Sequence, residues 1–81
     1  MDNLEEITGV MSLMAGELID ANEKYPLFAS AHEGYGVMAE EFQELFDEIR
    51  KKKPDYKAMH DEAIQLGAMC MKFILSMEGW V

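Results

Sequence analysis

Apolar residues recur at steps of three and four at the start of the chain: Leu4, Ile7, Met11, Met14 and Leu18. That spacing makes one stripe of an amphipathic helix, with Glu5, Glu6, Glu17 and Asp20 off the stripe. Gly9 and Gly16 weaken the helix slightly. The pattern predicts a helix from about Asp2 to Glu23. Tyr25-Pro26 ends it, because a residue before proline avoids the α region. A second helix starts near Ser30, where Ser30-Ala31-His32-Glu33 fits a capping box with the serine as N-cap. It is expected to reach about Lys52. Tyr35, Met38, Phe42, Leu45, Phe46 and Ile49 cover one side, and Arg50 to Lys53 close it at the negative end of the macrodipole. A third helix is expected from Pro54 or Asp55 to about Glu78. From Ala63 to Met77 it is apolar nearly all round, so either this fold or a partner must bury it. Gly79 reads as a C-cap glycine, and Trp80 as an anchor on the core or on another subunit. No segment alternates with period two, so no strand is expected. Residues 1–81 read as one all-α domain.

The polar positions are less ordinary. Glu33, Glu40, Glu41, Glu44 and Glu48 fall within roughly 100° of the second helix's circumference. Carboxylates three, four and seven apart repel, each close pair costing roughly 0.2–0.5 kcal/mol. No lysine or arginine interrupts the arc. A cation is therefore expected there, supplied by a neighbouring helix or as a metal ion. Glu41 is flanked in angle by Val37 and Leu45, which places it at the edge of the packed face, where an unpaired charge costs more. On the third helix, Glu62, Gln65, Lys72 and Ser76 share a stripe about 80° wide, with Asp61 at its margin.

Composition narrows the chemistry. The chain has 81 residues, and at that size one core is marginal and a second subunit helps. Sixteen acids against seven bases argue against nucleic acid or an anionic membrane as partner, because the summed field repels phosphate. A phosphorylated ligand can still bind when a divalent cation accompanies it. Eight methionines suggest an adaptable apolar surface, mostly core and partly subunit interface. The single cysteine, Cys70, excludes a disulfide framework and fits a reducing compartment. Met1-Asp2-Asn3-Leu4-Glu5-Glu6 lacks the basic start and apolar core of a signal peptide, and no apolar run is long enough to span a bilayer. The expectation is a cytoplasmic protein.

Glu41 and Glu44 project from adjacent turns of one helix, and Glu62 and Gln65 repeat that spacing on the next. Facing each other across an antiparallel pair, they would gather three carboxylates and one amide around a shared point. Hard divalent cations prefer such oxygen ligands. A carboxylate-held Mg²⁺ can bind a di- or triphosphate and activate water for attack on phosphorus. Lys72, two turns beyond Gln65, would reach a phosphate oxygen. The rival reading pairs Glu41, Glu44 and Glu62 with Lys72 or with the Arg50–Lys53 run. Glu33 reads as a capping residue, Glu40 and Glu48 as solvated or supporting groups, and His32 and His60 as surface or capping residues. Cys70, in an apolar stretch, reads as an inert core thiol. There is no glycine-rich phosphate loop, no serine-type triad and no zinc pattern.

Glu40-Glu41-Phe42-Gln43-Glu44, then seventeen residues, then Glu62-Ala63-Ile64-Gln65 resembles the bipartite motif of MazG-like nucleoside triphosphate pyrophosphohydrolases: EExxE, a spacer, ExxD. His32-Glu33-Gly34-Tyr35-Gly36-Val37 and Glu62-Ala63-Ile64-Gln65-Leu66-Gly67-Ala68-Met69 resemble a small, single-domain, phage-type branch of that superfamily. The resemblance covers roughly residues 30 to 77. It implies a three-helix protomer in an antiparallel helical bundle completed by homodimerisation, and possible doubling to a tetramer. It also implies Mg²⁺-dependent, or Mn²⁺-dependent, cleavage of the α–β phosphoanhydride of a nucleoside or deoxynucleoside triphosphate. Carried over by position, Glu41, Glu44 and Glu62 would be metal ligands and Glu40 would lie near the metal or position the water. Gln65 stands where the family has aspartate. An amide oxygen can coordinate Mg²⁺, but it brings no charge and cannot act as a base. A different class of function therefore stands beside the hydrolase: a non-catalytic helical oligomer or interaction module with a degenerate metal site.

Overall fold

In a computed structural model that describes residues 3–81, the chain forms three α-helices. They are α1 (Leu4–Lys24), α2 (Ala31–Ile49) and α3 (Tyr56–Ser76), followed by a short 3-10 turn, Met77–Trp80. The expected helix start at Asp2 lies outside the described residues. Helix α1 stops where its sequence demands. Tyr25, held by Pro26, is extended at φ −135° and ψ 145°, and its N–H closes the last turn on the Ala21 carbonyl. Ser30 caps α2, its Oγ accepting from the Glu33 N–H at 3.1 Å, which is the serine's half of the capping box. Asp55 caps α3 in the same manner, accepting from the Ala58 N–H at 3.1 Å.

Two boundaries differ from expectation. Helix α2 ends at Ile49, not near Lys52. The Arg50 N–H still bonds the Phe46 carbonyl, but the Lys51 N–H reaches back only to Glu48, so the last turn tightens and closes. The basic run thus lies just beyond the helix, where Arg50 and Lys51 turn back onto Asp47 and Glu48. Helix α3 ends at Ser76, and Gly79 is not a left-handed cap, since no described glycine has positive φ. Trp80 closes this end instead. Its Nε1–H donates to the Phe28 carbonyl at 2.9 Å, and its ring meets Phe73 edge-on at 5.1 Å. The tail is thus anchored on the chain's own core.

Helix α3 is the central element, packing most on α2 and next on α1. Gly34 of α2 lies against Phe73, while Glu41 lies beside Glu62, so α2 runs antiparallel to α3. Gly34 is required by closeness: a Cβ there would stand 2.6 Å from Phe73 Cδ2 and 3.0 Å from Phe28 Cδ2. Gly67 likewise admits the Met14 side chain of α1. The buried stripe of α3 is Ile64, Ala68, Lys72 and Ser76, four residues apart at each step. Cys70 falls on the opposite side and is exposed, which corrects its reading as a core thiol.

The core is small. Among the described residues the buried apolar side chains are Leu18, Phe28, Ile64 and Ala68. A large aliphatic or aromatic side chain contributes about 1.5–3 kcal/mol when fully buried, so this set alone gives a marginal domain. Much of the sequence's apolar periodicity stays uncovered. Leu4, Ile7 and Met11 continue the stripe that buries Leu18 but are exposed, as are Ile74 and Leu75 of α3 and Tyr35, Phe42, Phe46 and Ile49 of α2. The radius of gyration is 14.0 Å, against about 12 Å for a compact chain of this length. The accessible surface is 6223 Å², against about 4,900 Å² expected for the mass. No helix among the described residues is long and apolar enough to cross a membrane.

Gly34→Ala is expected to destabilise the protein by about 1–3 kcal/mol, because two packed rings must move. Gly36→Ala, with open space around its Cβ position, should instead be neutral or stabilise the helix by up to about 1 kcal/mol. Thermal melts of the two variants against the parent test this ordering.

Candidate metal centre

The interface that holds the fold together also carries its least comfortable charges. The turn-by-turn spacing of Glu41 and Glu44 puts both on the α2 flank facing α3, where Glu62 meets them. One oxygen from each of the three carboxylates lies within 4.8 Å of the other two. Glu44 is exposed, and Glu41 and Glu62 are half-buried. The inner oxygens, Glu41 Oε2 and Glu62 Oε2, are shut off from solvent and receive no hydrogen bond. A buried polar atom without a partner costs about 1–3 kcal/mol, more when charged.

The electrostatics follow from this crowding. Burial first, then the charges of Glu44 and Glu62, a hydrogen bond with Glu44 and the charge of Glu40, push the Glu41 carboxyl from its ordinary 4.5 up to about 7. Burial, a hydrogen bond with Glu44 and the charges of Glu44, Glu48 and Asp61 also raise Glu62. Three acids at contact distance resist simultaneous ionisation when nothing positive is near.

No described lysine or arginine fills that role. Among the described residues, Arg50 pairs with Asp47 at 3.2 Å, Lys51 with Glu48 at 2.9 Å and Lys57 with Asp61 at 2.8 Å. Lys72 Nζ stands 5.0 Å from the centroid of the Phe28 ring. None of the described lysines or arginines pairs with Glu41, Glu44 or Glu62, so the ion-pair alternative for these three acids is not what the fold builds. An ion ligated at about 2.1–2.4 Å places opposite ligands about 4.2–4.8 Å apart. The spread of the three oxygens fits one shared hard cation, and the cluster can hold a metal ion.

The other expected site residues are arranged around a groove next to the triad. Its volume is about 520 Å³, within the usual range for a small-molecule site. Glu40, Glu41, Gln65 and Lys72 line it. Gln65 lines the groove together with Glu41. Glu33 is on the wall as well as in the α2 cap. Glu48 is taken by Lys51, and His32 and His60 are exposed, His60 lying 3.3 Å from Asp61. Sequence reasoning gave α1 no chemistry, yet Glu17 lines the groove from that helix. It also passed over Phe28, buried in the α1–α2 linker and set against Gly34. The signal available was an apolar pair, Leu27-Phe28, set in the short linker between a proline and a capping serine.

Comparison with family models, with curated proteins and with solved structures finds no match to the chain.

The raised Glu41 carboxyl dictates a pH dependence. Between 4.5 and about 7 the unfolded chain releases this proton while the folded chain keeps it, so metal-free stability falls as pH rises through that window and levels off above it. Glu41→Gln should flatten the decline and raise metal-free stability at pH 8 by roughly 1 kcal/mol, a shift of about 4–8 °C for a domain of this size. Millimolar Mg²⁺ should raise the melting temperature of the parent at pH 8 and leave Glu41→Gln nearly unmoved. Melting curves from pH 4.5 to 8, with and without Mg²⁺, measure both effects.

Proposed function

We propose that the chain is a MazG-like, Mg²⁺-dependent nucleoside triphosphate pyrophosphohydrolase, working as a homodimer or larger self-assembly. The observation that carries this reading is the pair of solvent-excluded, unbonded oxygens on Glu41 and Glu62. They sit in a three-carboxylate cluster with which no described lysine or arginine pairs. An arrangement that destabilises the free protein is best explained by a ligand that repairs it. Above the pH at which Glu41 loses its proton, a divalent ion held by the three carboxylates is such a ligand.

In this reading Glu41, Glu44 and Glu62 hold the ion from both sides of the α2–α3 interface. The ion supplies Lewis acidity toward phosphate oxygens and lowers the pKa of a nearby water. The groove beside the triad receives the nucleotide. Glu40, on its wall, orients the attacking water and accepts its proton as the new P–O bond forms at the α-phosphorus. The α–β anhydride bond breaks, and the products are a nucleoside monophosphate and pyrophosphate. Gln65 offers an amide oxygen and no charge, so three anionic ligands are available, enough for one ion at full strength.

Self-association has its own physical support. The surface exceeds that of a compact monomer by about 1,300 Å². A stable dimer typically buries about 800 Å² on each partner. The exposed Leu4, Ile7 and Met11, at 64%, 47% and 60%, extend the stripe that already buries Leu18. A second copy packed on that face would continue the same bundle.

The same exposed faces favour a second reading, a non-catalytic oligomerisation module in which the acid cluster is a remnant. Neutral Gln65 agrees with it. Two measurements separate the readings. Incubation with a panel of nucleoside and deoxynucleoside triphosphates and Mg²⁺ should release pyrophosphate, and Glu44→Gln should reduce both Mg²⁺ affinity and turnover by roughly 100-fold. A module would bind no Mg²⁺ and release nothing, and Glu44→Gln would leave its stability unchanged or higher. Sedimentation equilibrium should give at least twice the 9.2 kDa chain mass, and Met11→Glu should shift the population toward monomer. A parent protein that sediments at the chain mass at micromolar concentration overturns the assembly.

A further inference from the structure

Lys72 is 3% exposed, yet it forms no ion pair with any described residue. It faces the groove, and it is the sole basic residue among those lining it. The other charged walls are all acidic: Glu17, Glu33, Glu40 and Glu41. A lysine side chain this deeply buried without an anionic partner is unusual.

A network surrounds and fixes it. Phe28 is 5% exposed, and its ring lies under the Lys72 ammonium. Both backbone polar groups of Phe28 are held by side chains from the last residue of α3 and from the 3-10 turn after it. Ser76 Oγ accepts the Phe28 N–H at 2.9 Å and donates to the Lys72 carbonyl at 2.7 Å. Trp80 Nε1–H donates to the Phe28 carbonyl at 2.9 Å. The aromatic face stabilises the charge without neutralising it, and leaves the N–H donors able to turn toward the groove. The linker between α1 and α2 is thereby locked to the helix that carries the lysine.

We infer that Lys72, seated on Phe28 and held by Ser76 and Trp80, is an anion subsite at the linker end of the groove that binds the pyrophosphate portion of a polyphosphate. This rests on the reading of the groove as a nucleotide site. Lys72 and Glu41 line the same groove, so one polyphosphate can meet the lysine and the edge of the acid cluster together. The acid cluster takes the cation and the phosphate it serves. Lys72 takes the part of the chain that leaves. Phe28, Ser76 and Trp80 are positioning residues, acting through Lys72 and not on the ligand.

The test uses inorganic pyrophosphate as probe, titrated calorimetrically into the full chain in millimolar Mg²⁺ and again in chelator, with Mg²⁺ alone titrated as a control. Lys72→Met, which keeps length and apolar bulk, should weaken pyrophosphate binding at least tenfold and leave Mg²⁺ affinity unchanged. Lys72→Arg should retain most of it. Trp80→Phe, which keeps a ring against Phe73 but removes the donor, should weaken it about threefold with melting temperature and Mg²⁺ affinity unchanged. Equal binding by the parent and Lys72→Met, or none in either medium, overturns the subsite. A Trp80→Phe variant that loses thermal stability and pyrophosphate affinity together reduces the network to a structural role. Lys72-dependent pyrophosphate binding without any Mg²⁺ binding would keep the subsite and remove the hydrolase.

Discussion

The α2–α3 interface carries two opposed demands. It is the most extensive packing surface in the protomer, and it also forces Glu41, Glu44 and Glu62 together. A protein selected for stability alone would place leucine or lysine at one of these positions. Keeping three acids there means that the metal-free molecule carries unbalanced charge at its main seam, with two carboxylate oxygens cut off from water. Whatever binds the seam neutralises it, and so couples occupancy of the site to cohesion of the fold.

Much of this was legible in the sequence. The three helices, the two proline breaks and the absence of strands among the described residues followed from apolar periodicity and from the chemistry of Pro26 and Ser30. The convergence of Glu41, Glu44 and Glu62 followed from equal three-residue spacing on two helices that run antiparallel. What the sequence did not show has more than one cause. The fate of Gly79 and the placement of Phe28 are decided by contacts between residues far apart in the chain, where a local rule has no purchase, while α2 closes on a tightened last turn that falls within the usual uncertainty of a helix end. Arg50 to Lys53 suited a helix terminus by charge, but charge does not fix the turn at which a helix stops. Cys70 was misplaced because an all-round apolar helix gives no sign of which side will be covered.

The exposed residues bear on that same ambiguity. Ile74 and Leu75 of α3, Phe42 and Phe46 of α2, and Leu4 and Met11 of α1 lie on three helices and on more than one side of the molecule. The apolar periodicity therefore describes more surface than one copy of the chain can bury. Three 19- to 21-residue helices around a four-residue apolar core form an open arrangement, 42 Å in its longest extent.

The bonds from Phe28 to Ser76 and Trp80 span 48 and 52 residues of sequence. Each helix and its cap can assemble from neighbours, and the α2–α3 hairpin closes across a short connection. The clasp between linker and tail cannot form until that hairpin has brought the two ends of the chain segment together. The segment linking α1 to α2 should therefore be the first part of the molecule to loosen when the C-terminal turn frays.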